Sequence, residues 1–183
     1  MAKIGLNSFR YGIINPATNV YEGALTPGKA ISCSVSITNN DAKLYADDVL
    51  QESDTSFAGG TVTMGIDRDD DTTMSNLLGH TITDGVMVRS ANDIAPYVGL
   101  GRIIVKMVDG AYKYKVEFLN KVKFSEPSQD NTTKGENVEF STYELEGIIS
   151  ALPNGTWSKS ETFDTKAEAL TYLEGLLGSG TSI

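Results

Sequence analysis

Few residues in this chain could carry out catalysis. It contains one cysteine, Cys33, and one histidine, His80. A catalytic thiol needs a nearby base, and no sequence motif links His80 to Cys33. Cys33 instead lies in the alternating segment Ile31–Ile37, which predicts a strand whose apolar face holds the cysteine as a small buried hydrophobe. Because there is also no carboxylate pair on a recognisable scaffold, we expect that the protein is not an enzyme.

Three short segments resemble ligand-binding motifs, and each fails at a required position. Asp67–Asp71 begins like an EF-hand calcium loop, but that loop needs glycine and glutamate where the chain has Thr72 and Leu78. Gly28-Lys29 lacks the upstream glycine of a phosphate-binding loop. Gly99-Leu-Gly101 lies inside a predicted strand, not between a strand and a helix. The sequence therefore predicts no metal site and no cofactor.

A run of acidic residues stands out in the first half of the chain. Between Asp41 and Asp71 there are nine acidic and two basic residues, a net charge of −7. The whole chain has a net charge of −9, which argues against a free-standing nucleic-acid binder and suits a surface that avoids sticking to DNA. No apolar run predicts a signal peptide or a membrane span, so we expect synthesis in a reducing cytoplasm.

A basic cluster lies near the tip of a predicted hairpin. A two-residue turn at Asp109-Gly110 sets Lys106 directly opposite Lys113, with Lys115 beside them. Like charges at opposite positions of a sheet are mildly destabilising. Two interpretations stay open: the lysines splay into water and guard an edge, or they meet the acidic run of another copy in a head-to-tail contact that builds rings or filaments. The candidate interface residues are Lys106, Lys113, Lys115, Asp69, Asp70 and Asp71.

The element that positions these lysines is the segment 97–124, predicted as one unusually long hairpin. One face pairs Met107 with Tyr112, Val105 with Tyr114, Ile103 with Val116 and Gly101 with Phe118. The other face pairs Lys106 with Lys113, Ile104 with Lys115, Arg102 with Glu117 and Leu100 with Leu119. The first face is apolar throughout, so we expect it to be committed to the core, with the Phe118 ring covering the gap at Gly101.

The rest of the chain predicts further strands and two helices. Residues 1–30 are expected to form an N-terminal arm or short hairpin, and residues 42–60 a short strand followed by a long acidic loop. The other predicted strands are Ile31–Ile37, Lys43–Ala46, Thr61–Asp67, two short strands around Asp84-Gly85, and Asn137–Ile149. The predicted helices are Thr72–Leu78, with Asp71 as N-cap, and Thr165–Leu177, with a Thr165-x-x-Glu168 capping box.

These elements predict the fold class. About eight strands and two helices, without βαβ alternation, indicate a mainly β protein. The expected architecture is an antiparallel β-sandwich or barrel with the long central hairpin at 97–124 and a packed C-terminal α-helix at 164–178. A length of 183 residues favours a single domain, 1–183.

The chain also carries four longer blocks that match a known family in the same order. They are L-Y-A-D-D-V-L-Q-E-S-D-T-S-F-A-G-G-T-V-T-M-G-I-D (Leu44–Asp67), N-D-I-A-P-Y-V-G-L-G (Asn92–Gly101), F-L-N-K-V-K-F-S-E-P-S (Phe118–Ser128) and L-E-G-I-I-S-A-L-P-N-G-T-W (Leu145–Trp157). Together they resemble the major tail tube protein of long-tailed, siphovirus-type bacteriophages and prophages of Gram-positive bacteria. The similarity extends from Lys43 to about Leu173 and is weak over the first 30 residues.

The resemblance implies a structural virion protein without catalytic residues or cofactors. Members of this family form hexameric rings that stack into a hollow tube, through which the genome passes on ejection. Their fold is similar to a β-sandwich or barrel with a flanking helix, shared with the tube protein of type VI secretion. The implied partners are further copies of the chain, the tape measure, tail terminator and distal tail proteins, and passing genomic DNA that is not bound specifically. No membrane partner is implied, and the implied location is the virion tail, assembled in the host cytoplasm.

A different phage β-sandwich module remains the alternative. A tail terminator, a head decoration protein or an adhesion domain would share the predicted fold class. The two readings differ in polymerisation, because only a tube protein stacks into a long hollow assembly. The sequence alone leaves both open.

Overall fold

A computed structural model of the protein describes residues 2–46, 49–68, 70–128 and 142–178. Within these ranges lie twelve strands and two helices, where about eight strands were expected. The strands are β1 (Ala2–Asn15), β2 (Val20–Leu25), β3 (Ala30–Asn39), β4 (Ala42–Ala46), β5 (Val49–Asp54), β6 (Phe57–Ile66), β7 (Thr81–Thr83), β8 (Val86–Val88), β9 (Val98–Val108), β10 (Ala111–Phe124), β11 (Tyr143–Ile149) and β12 (Ser158–Phe163). The helices are α1 (Asp71–Leu78) and α2 (Lys166–Gly178).

The strands form one large antiparallel sheet and two separate two-stranded ribbons. The large sheet has the order β2-β1-β9-β10-β11-β6-β3, and β12 also pairs with β10. The ribbons are β4–β5 and β7–β8. The predicted fold class is confirmed: the protein is mainly β and antiparallel, with a long central hairpin and a C-terminal helix, consistent with a β-sandwich or barrel.

The central hairpin β9–β10 has the register that its turn predicts. All the predicted cross-strand pairs are present, including Lys106 opposite Lys113. Asp109 and Gly110 have φ angles of 51° and 81°, the two positive values that a type I′ turn requires. β1 flanks β9 on one side, and β12 and β11 flank β10 on the other. The length of the hairpin is therefore used largely within its own sheet.

Side chains on the two faces of the central hairpin enter two different cores. Leu100 and Leu119 face a core shared with β6, β11 and α1. Ile103 and Val116 face a second core, shared with β2 and α2. The hairpin and β1 therefore form a middle layer, with β11-β6-β3 and α1 packed on one face and α2 on the other.

Gly101 makes room for helix α2 and not for an aromatic ring. A Cβ atom at Gly101 would lie 2.0 Å from Cδ1 of Leu173. The prediction that Phe118 covers Gly101 is therefore wrong. The Phe118 ring lies instead at Gly99, where an added Cβ would be 2.7 Å from its Cζ. The contact between helix and sheet could not be read from the hairpin alone, because Leu173 comes from a distant part of the chain.

The N-terminal arm predicted within residues 1–30 is wrong, since β1 is a central strand of the large sheet. It pairs with β9 along nearly all of its length, and its register shifts between Lys3 and Gly5 and again between Leu6 and Ser8. Such irregularities interrupt the alternation of side chains between the two faces. The sequence of β1 therefore shows no clear period of two. The short hairpin expected in this region is present as β1–β2.

The long acidic loop predicted within residues 42–60 is also wrong. This range holds the β4–β5 ribbon, in which Lys43 lies opposite Ser53, and the beginning of β6. Positions 47 and 48 lie outside the described residues. Side chains 51–56 are exposed, so no core imposes an apolar alternation on this part of the ribbon. By contrast, β7–β8 turns at Asp84-Gly85 as predicted.

The helix caps match the prediction for α2 but not for α1. Asp70 caps α1, because its Oδ2 accepts a hydrogen bond from the Thr73 N–H at 3.1 Å, whereas the predicted cap Asp71 is the first helical residue. In α2 the predicted capping box is present. Thr165 N–H donates to Glu168 Oε2 at 3.2 Å, and Glu168 N–H donates to Thr165 Oγ1 at 3.3 Å.

Two differences concern the C-terminal third of the sheet. The strand predicted over 137–149 is present as β11 from Tyr143 onward, and positions 137–141 lie outside the described residues. Strand β12 was not predicted. Its sequence, Ser-Lys-Ser-Glu-Thr-Phe, is polar because most of its side chains are exposed, so it lacks the apolar alternation of a half-buried strand.

Candidate assembly surfaces

The basic tip of the β9–β10 hairpin is partly neutralised within the chain. Lys113 contacts the carboxylate of Asp164, and Lys115 Nζ lies 2.6 Å from Glu117 Oε1. Lys106, opposite Lys113 in register, forms no ion pair with any residue in the described part of the chain. Of the three lysines predicted as interface residues, Lys106 is therefore the one whose charge is left unmatched there.

The same tip exposes two large apolar side chains. Met107 is 38% exposed and Tyr112 is 57% exposed. The prediction that this whole face is committed to the core is therefore wrong at the tip, and it holds farther along the hairpin, where Ile103 and Val116 are buried. Met107 and Tyr112 lie on one face of the tip and Lys106 on the other, so the two faces offer different contacts to another protein chain, one apolar and one cationic.

An ion pair stiffens the middle of the hairpin. Arg102 donates to Glu117 Oε2 from Nη2 at 2.6 Å and from Nε at 3.1 Å. Burial would raise the pKa of Glu117, but the hydrogen bonds from Lys115 and Arg102 outweigh it and hold that pKa below its usual value. Arg102 Nη1 also reaches the Cys33 carbonyl at 3.5 Å. Burial raises the pKa of the Cys33 thiol, which is half-buried, so less of the reactive thiolate is present.

The three predicted acidic residues do not act as a single cluster. Asp70 is committed to α1, where its Oδ2 accepts hydrogen bonds from both the N–H and the hydroxyl of Thr73. Asp71 is exposed in the first turn of the helix. Asp69 lies outside the described residues. Asp71 is therefore the described acid of the three that remains available to a partner.

The structure does not bring the predicted lysines and aspartates together within one chain. Asn76 of α1 donates to the Tyr11 hydroxyl at 3.3 Å, and Tyr11 lies opposite Leu100 of β9. Leu100 and Lys106 are separated by about 20 Å along the strand, at roughly 3.3 Å per residue. The α1 acids and the basic tip therefore lie toward opposite ends of the hairpin.

Strand β3 is an edge strand with one unpaired side. Among the described strands it pairs with β6 only, and its ten residues include no charge and no proline. Ser36 O points toward β6, so the backbone groups of the alternating residues Cys33 and Val35 point outward. Of those groups, Cys33 O alone receives a hydrogen bond from a described residue, Arg102. An uncharged edge of this kind can pair with a strand of another chain.

A cavity of ≈ 480 Å³ lies along the same edge. Its lining comes from β1, β3 and β9 and includes Leu6, Val35 and Arg102. β1 therefore comes close to β3 without pairing with it, and the sheet stays open at this seam. The outward backbone groups of β3 border open space.

The outer face of β3, β6 and β11 is exposed and carries no cation of its own, and Lys123 of β10 lies opposite Ile148 at its border. Its exposed polar side chains are Ser32, Ser34, Ser36, Thr61, Glu144 and Glu146. None of these three strands contains lysine or arginine. Lysine and arginine provide most of the affinity for phosphate groups, so this face would hold a nucleic-acid backbone only weakly.

A second cavity, of ≈ 490 Å³, lies beside Tyr97. Lys121 Nζ is 4.2 Å from the centre of the Tyr97 ring and Lys123 Nζ is 5.4 Å from it, within range of cation–π attraction. Neither lysine forms an ion pair with a residue that the structure describes. We call this site the Tyr97 cavity; its lining residues are Ile14, Pro16, Asn19, Ile94, Ala95, Pro96, Tyr97, Lys121, Lys123, Leu152 and Pro153.

The Tyr97 cavity is not among the sites predicted from sequence. A local signal does exist, because Lys121 and Lys123 alternate with the buried side chains of Val122 and Phe124 and so share the opposite face of β10. The apolar part of the lining could not be found in this way. It is contributed by the β1–β2 turn, the connector before β9 and the segment after β11, which meet only in the folded chain.

His80, also missed as a structural centre, is clamped between two carboxylates. Its Nδ1–H donates to Asp93 Oδ2 at 2.8 Å and its Nε2–H donates to Glu126 Oε2 at 2.9 Å. Both ring nitrogens donate at once only in the protonated imidazolium. The hydrogen bond to Asp93 raises the pKa of His80; burial opposes this, and Glu126 adds to it. A histidine held in this form is a poor general base.

The His80 cluster joins three parts of the chain. Arg89 Nε lies 3.5 Å from Glu126 Oε1, so two cations face two carboxylates. The cluster connects the end of α1, the connector before β9 and the segment after β10. Its partners are 13 and 46 positions from His80, too far apart to form a sequence motif. We therefore interpret it as a structural clamp.

The comparisons with known proteins give no independent identification. No protein-family model matches the chain, and no curated protein matches it in sequence. Among the described residues, no helix is long and apolar enough to cross a membrane. The function must therefore be inferred from the surfaces described above and from the four resembling sequence blocks.

Proposed function

We propose that this chain is a structural protein that assembles with copies of itself into hexameric rings, stacked as the tail tube of a long-tailed bacteriophage. The open edge of β3 is the observation that carries the proposal. Ten residues without charge or proline, bordered by open space, can continue the sheet into a neighbouring copy. The ring size and the phage context come from the resemblance of the four sequence blocks.

The cation-free face of β3, β6 and β11 supports the same proposal. A tube that conducts DNA needs an inner wall that does not hold phosphate groups. This face joins the open edge directly and carries hydroxyl groups and carboxylates without lysine or arginine. A sheet continued from copy to copy through β3 would present such a face around a channel.

The positions of the charges support stacking of one ring on the next. Lys106 lies near the hairpin tip, whereas Asp71 of α1 lies toward the other end of the hairpin. Two unlike surfaces at opposite ends of one chain suit a heterologous contact, which repeats without closing on itself. The proposed partners are therefore other copies of the chain along the tail, together with the tape measure, tail terminator and distal tail proteins in the virion.

A proline scan of β3 tests the proposal. Val35→Pro removes an outward N–H and leaves the pairing with β6 intact, so the protein is expected to fold while its assembly at a given concentration falls at least about tenfold. Ser34→Pro is the matched control, because it removes an N–H directed at β6 and should lower stability instead. Wild-type assembly by a folded Val35→Pro variant would exclude the β3 edge as the contact. A terminator, decoration or adhesion module would not form long polymers in sedimentation experiments.

A further inference from the structure

The β4–β5 ribbon and the Tyr97 cavity carry complementary features. We propose that the β4–β5 ribbon of one copy docks in the Tyr97 cavity of a second copy, with its carboxylates against Lys121 and Lys123. This inference rests on the proposed self-assembly and names one of its contacts. It replaces part of the contact expected from sequence, in which the acidic run met the hairpin-tip lysines.

The charges of the ribbon and the cavity favour this contact. Positions 41–54 hold five acidic residues against Lys43 alone, a net charge of −4. The hairpin-tip lysines are a poor match for them, because Lys113 and Lys115 already contact carboxylates of their own chain. Lys121 and Lys123 lie over the Tyr97 ring and form no ion pair with a residue in the described ranges. Opposite charges left unmatched on two surfaces of one chain favour a contact between copies.

Within the described part of one chain the ribbon lacks a packing partner, and the cavity leaves an apolar lining exposed. The β4–β5 ribbon joins no larger sheet among the strands that the structure describes, and a two-stranded ribbon is marginally stable until it packs against another element. Its sequence combines acids with Leu44, Tyr45, Val49 and Leu50. The cavity combines two lysines with an apolar lining, and Ile94 in that lining is 77% exposed. The acidic side chains of the ribbon therefore complement the two lysines of the cavity, and its apolar side chains complement the apolar lining.

The places of the ribbon and the cavity on the sheet also suit a contact between two copies. The ribbon leaves the sheet next to β3 and β6, where Asn40 N–H donates to Ser56 O at 2.8 Å. The cavity is lined from β10, from the β1–β2 turn and from the connector before β9. The β4–β5 ribbon and the Tyr97 cavity thus lie on different flanks of the sheet. A contact between unlike flanks repeats from copy to copy and can close into a ring.

The other exposed ribbon fits the cavity less well. β7–β8 exposes Ile82, Val86 and Val88, which would fill an apolar space. Its own turn, however, offers one carboxylate, Asp84, against two lysines. Docking of β7–β8 would leave one of the two cavity lysines, Lys121 or Lys123, without an opposing carboxylate.

Disulfide trapping between two differently labelled chains tests the contact. In a Cys33→Ser background, one chain carries Ser53→Cys in β5 and the other carries Ile94→Cys in the cavity. Mixed with oxidised glutathione, they are expected to give at least about tenfold more cross-linked dimer than a control pair of Ser160→Cys and Ile94→Cys, because docking raises the local thiol concentration. Equal yields from the two pairs would overturn the proposal. A chain carrying both Ser53→Cys and Ile94→Cys that closes on itself at low concentration would show docking within one copy, which also overturns it.

Charge reversal gives a second, independent readout. Lys121→Glu with Lys123→Glu is expected to reduce assembly at least about tenfold, and adding Glu52→Lys with Asp54→Lys in the same chain to restore it. Lys159→Glu with Lys166→Glu makes the same charge change on exposed lysines elsewhere and should have little effect. Tubes that form normally despite reversal, with no specific cross-link, would overturn this contact and leave the proposed function standing. A specific cross-link in a protein that never forms polymers would support this contact and contradict the proposed function.

Discussion

The side chain of Leu173 occupies the space that a Cβ atom on Gly101 would need. Helix α2 therefore packs onto β9 through a leucine set against a glycine, and the hairpin and the helix constrain each other. Gly101→Ala is expected to cost about 1–3 kcal/mol through overpacking, and Leu173→Ala about 2–5 kcal/mol through the cavity it leaves. The combined variant should lose less than the sum, because each change relieves the other.

Denaturant unfolding of the two single variants and the double variant measures this coupling. Gly175→Ala in the same helix is a suitable control, because an added Cβ there meets nothing within 4 Å. It should stabilise the protein by about 0.5–1 kcal/mol through helix propensity. Strict additivity of Gly101→Ala and Leu173→Ala would contradict the packing described.

The His80 clamp predicts a pH dependence of stability near neutrality. The pKa of His80 is raised in the folded protein, so its contribution is fully present below the unfolded value of about 6.5 and is lost as the pH rises through the folded pKa. The hydrogen bond from His80 lowers the pKa of Asp93, whose contribution is present above about 3.9 and is lost as the pH falls through its folded pKa. The clamp should therefore be strongest in mildly acidic solution.

This prediction can be checked with a single substitution, because the chain has only one histidine. The unfolding free energy of the wild-type protein should fall as the pH rises above about 6.5, whereas that of His80→Gln should be flatter over the same interval. Asp93→Asn should weaken the dependence without abolishing it, since Glu126 remains. If His80→Gln keeps the full wild-type slope, the clamp does not titrate as described.

The hairpin tip offers a cleaner assembly test than sequence suggested. Reversing Lys106 and Lys113 together would also break the contact between Lys113 and Asp164, so the two effects would be mixed. Lys106→Glu alone should leave the unfolding free energy within about 0.5 kcal/mol of wild type and weaken assembly severalfold. Adding Asp71→Lys should recover part of the loss if α1 meets the tip of another copy.

Sedimentation velocity over a concentration series would follow these variants. Thr162→Lys with Thr171→Lys, at two exposed positions of β12 and α2, is a useful control because it makes the same change in net charge as Asp71→Lys. Unchanged assembly of a folded Lys106→Glu variant would favour the simpler interpretation, in which the tip lysines only guard an edge.

The cation-free sheet face predicts weak interaction with DNA, which added lysines should change. Thr61→Lys with Thr63→Lys places two cations on the outer face of β6, leaves the β3 edge uncharged and leaves the core side chains of β6 unchanged. Assembled variant should retain DNA with a salt-dependent affinity, whereas assembled wild type should not. Thr162→Lys with Thr171→Lys makes the same charge change elsewhere. Equal DNA retention by both double variants would show that the face of β3 and β6 has no special role.

Much of the fold could be predicted from sequence where a feature is local. The Asp109-Gly110 turn fixes the register of the central hairpin, and the Thr165–Glu168 box fixes the start of α2, because both depend on residues close in the chain. β1 and the β4–β5 ribbon were missed for the opposite reason. Shifts in pairing blur the pattern of β1, and exposure removes the pattern from much of the ribbon.

The candidate surfaces were less predictable than the fold. Lys106 opposite Lys113 follows from the turn, but the contact between Lys113 and Asp164 joins residues 51 positions apart. The open edge of β3 depends on the order of strands in the sheet. The alternation of apolar and polar residues predicts strands but does not predict that order. The lining of the Tyr97 cavity comes together only when the β1–β2 turn, the connector before β9, β10 and the segment after β11 meet in the folded chain. Pairing across long sequence distances was therefore what the sequence left undetermined.

The most direct test of the central claim is electron microscopy of the purified wild-type protein at high concentration, alone and with the distal tail proteins that the proposed function implies. Hollow tubes built of stacked six-fold rings are the result we predict. A protein that remains monomeric at every concentration, and forms no tube even on a tail tip, would contradict the proposed function.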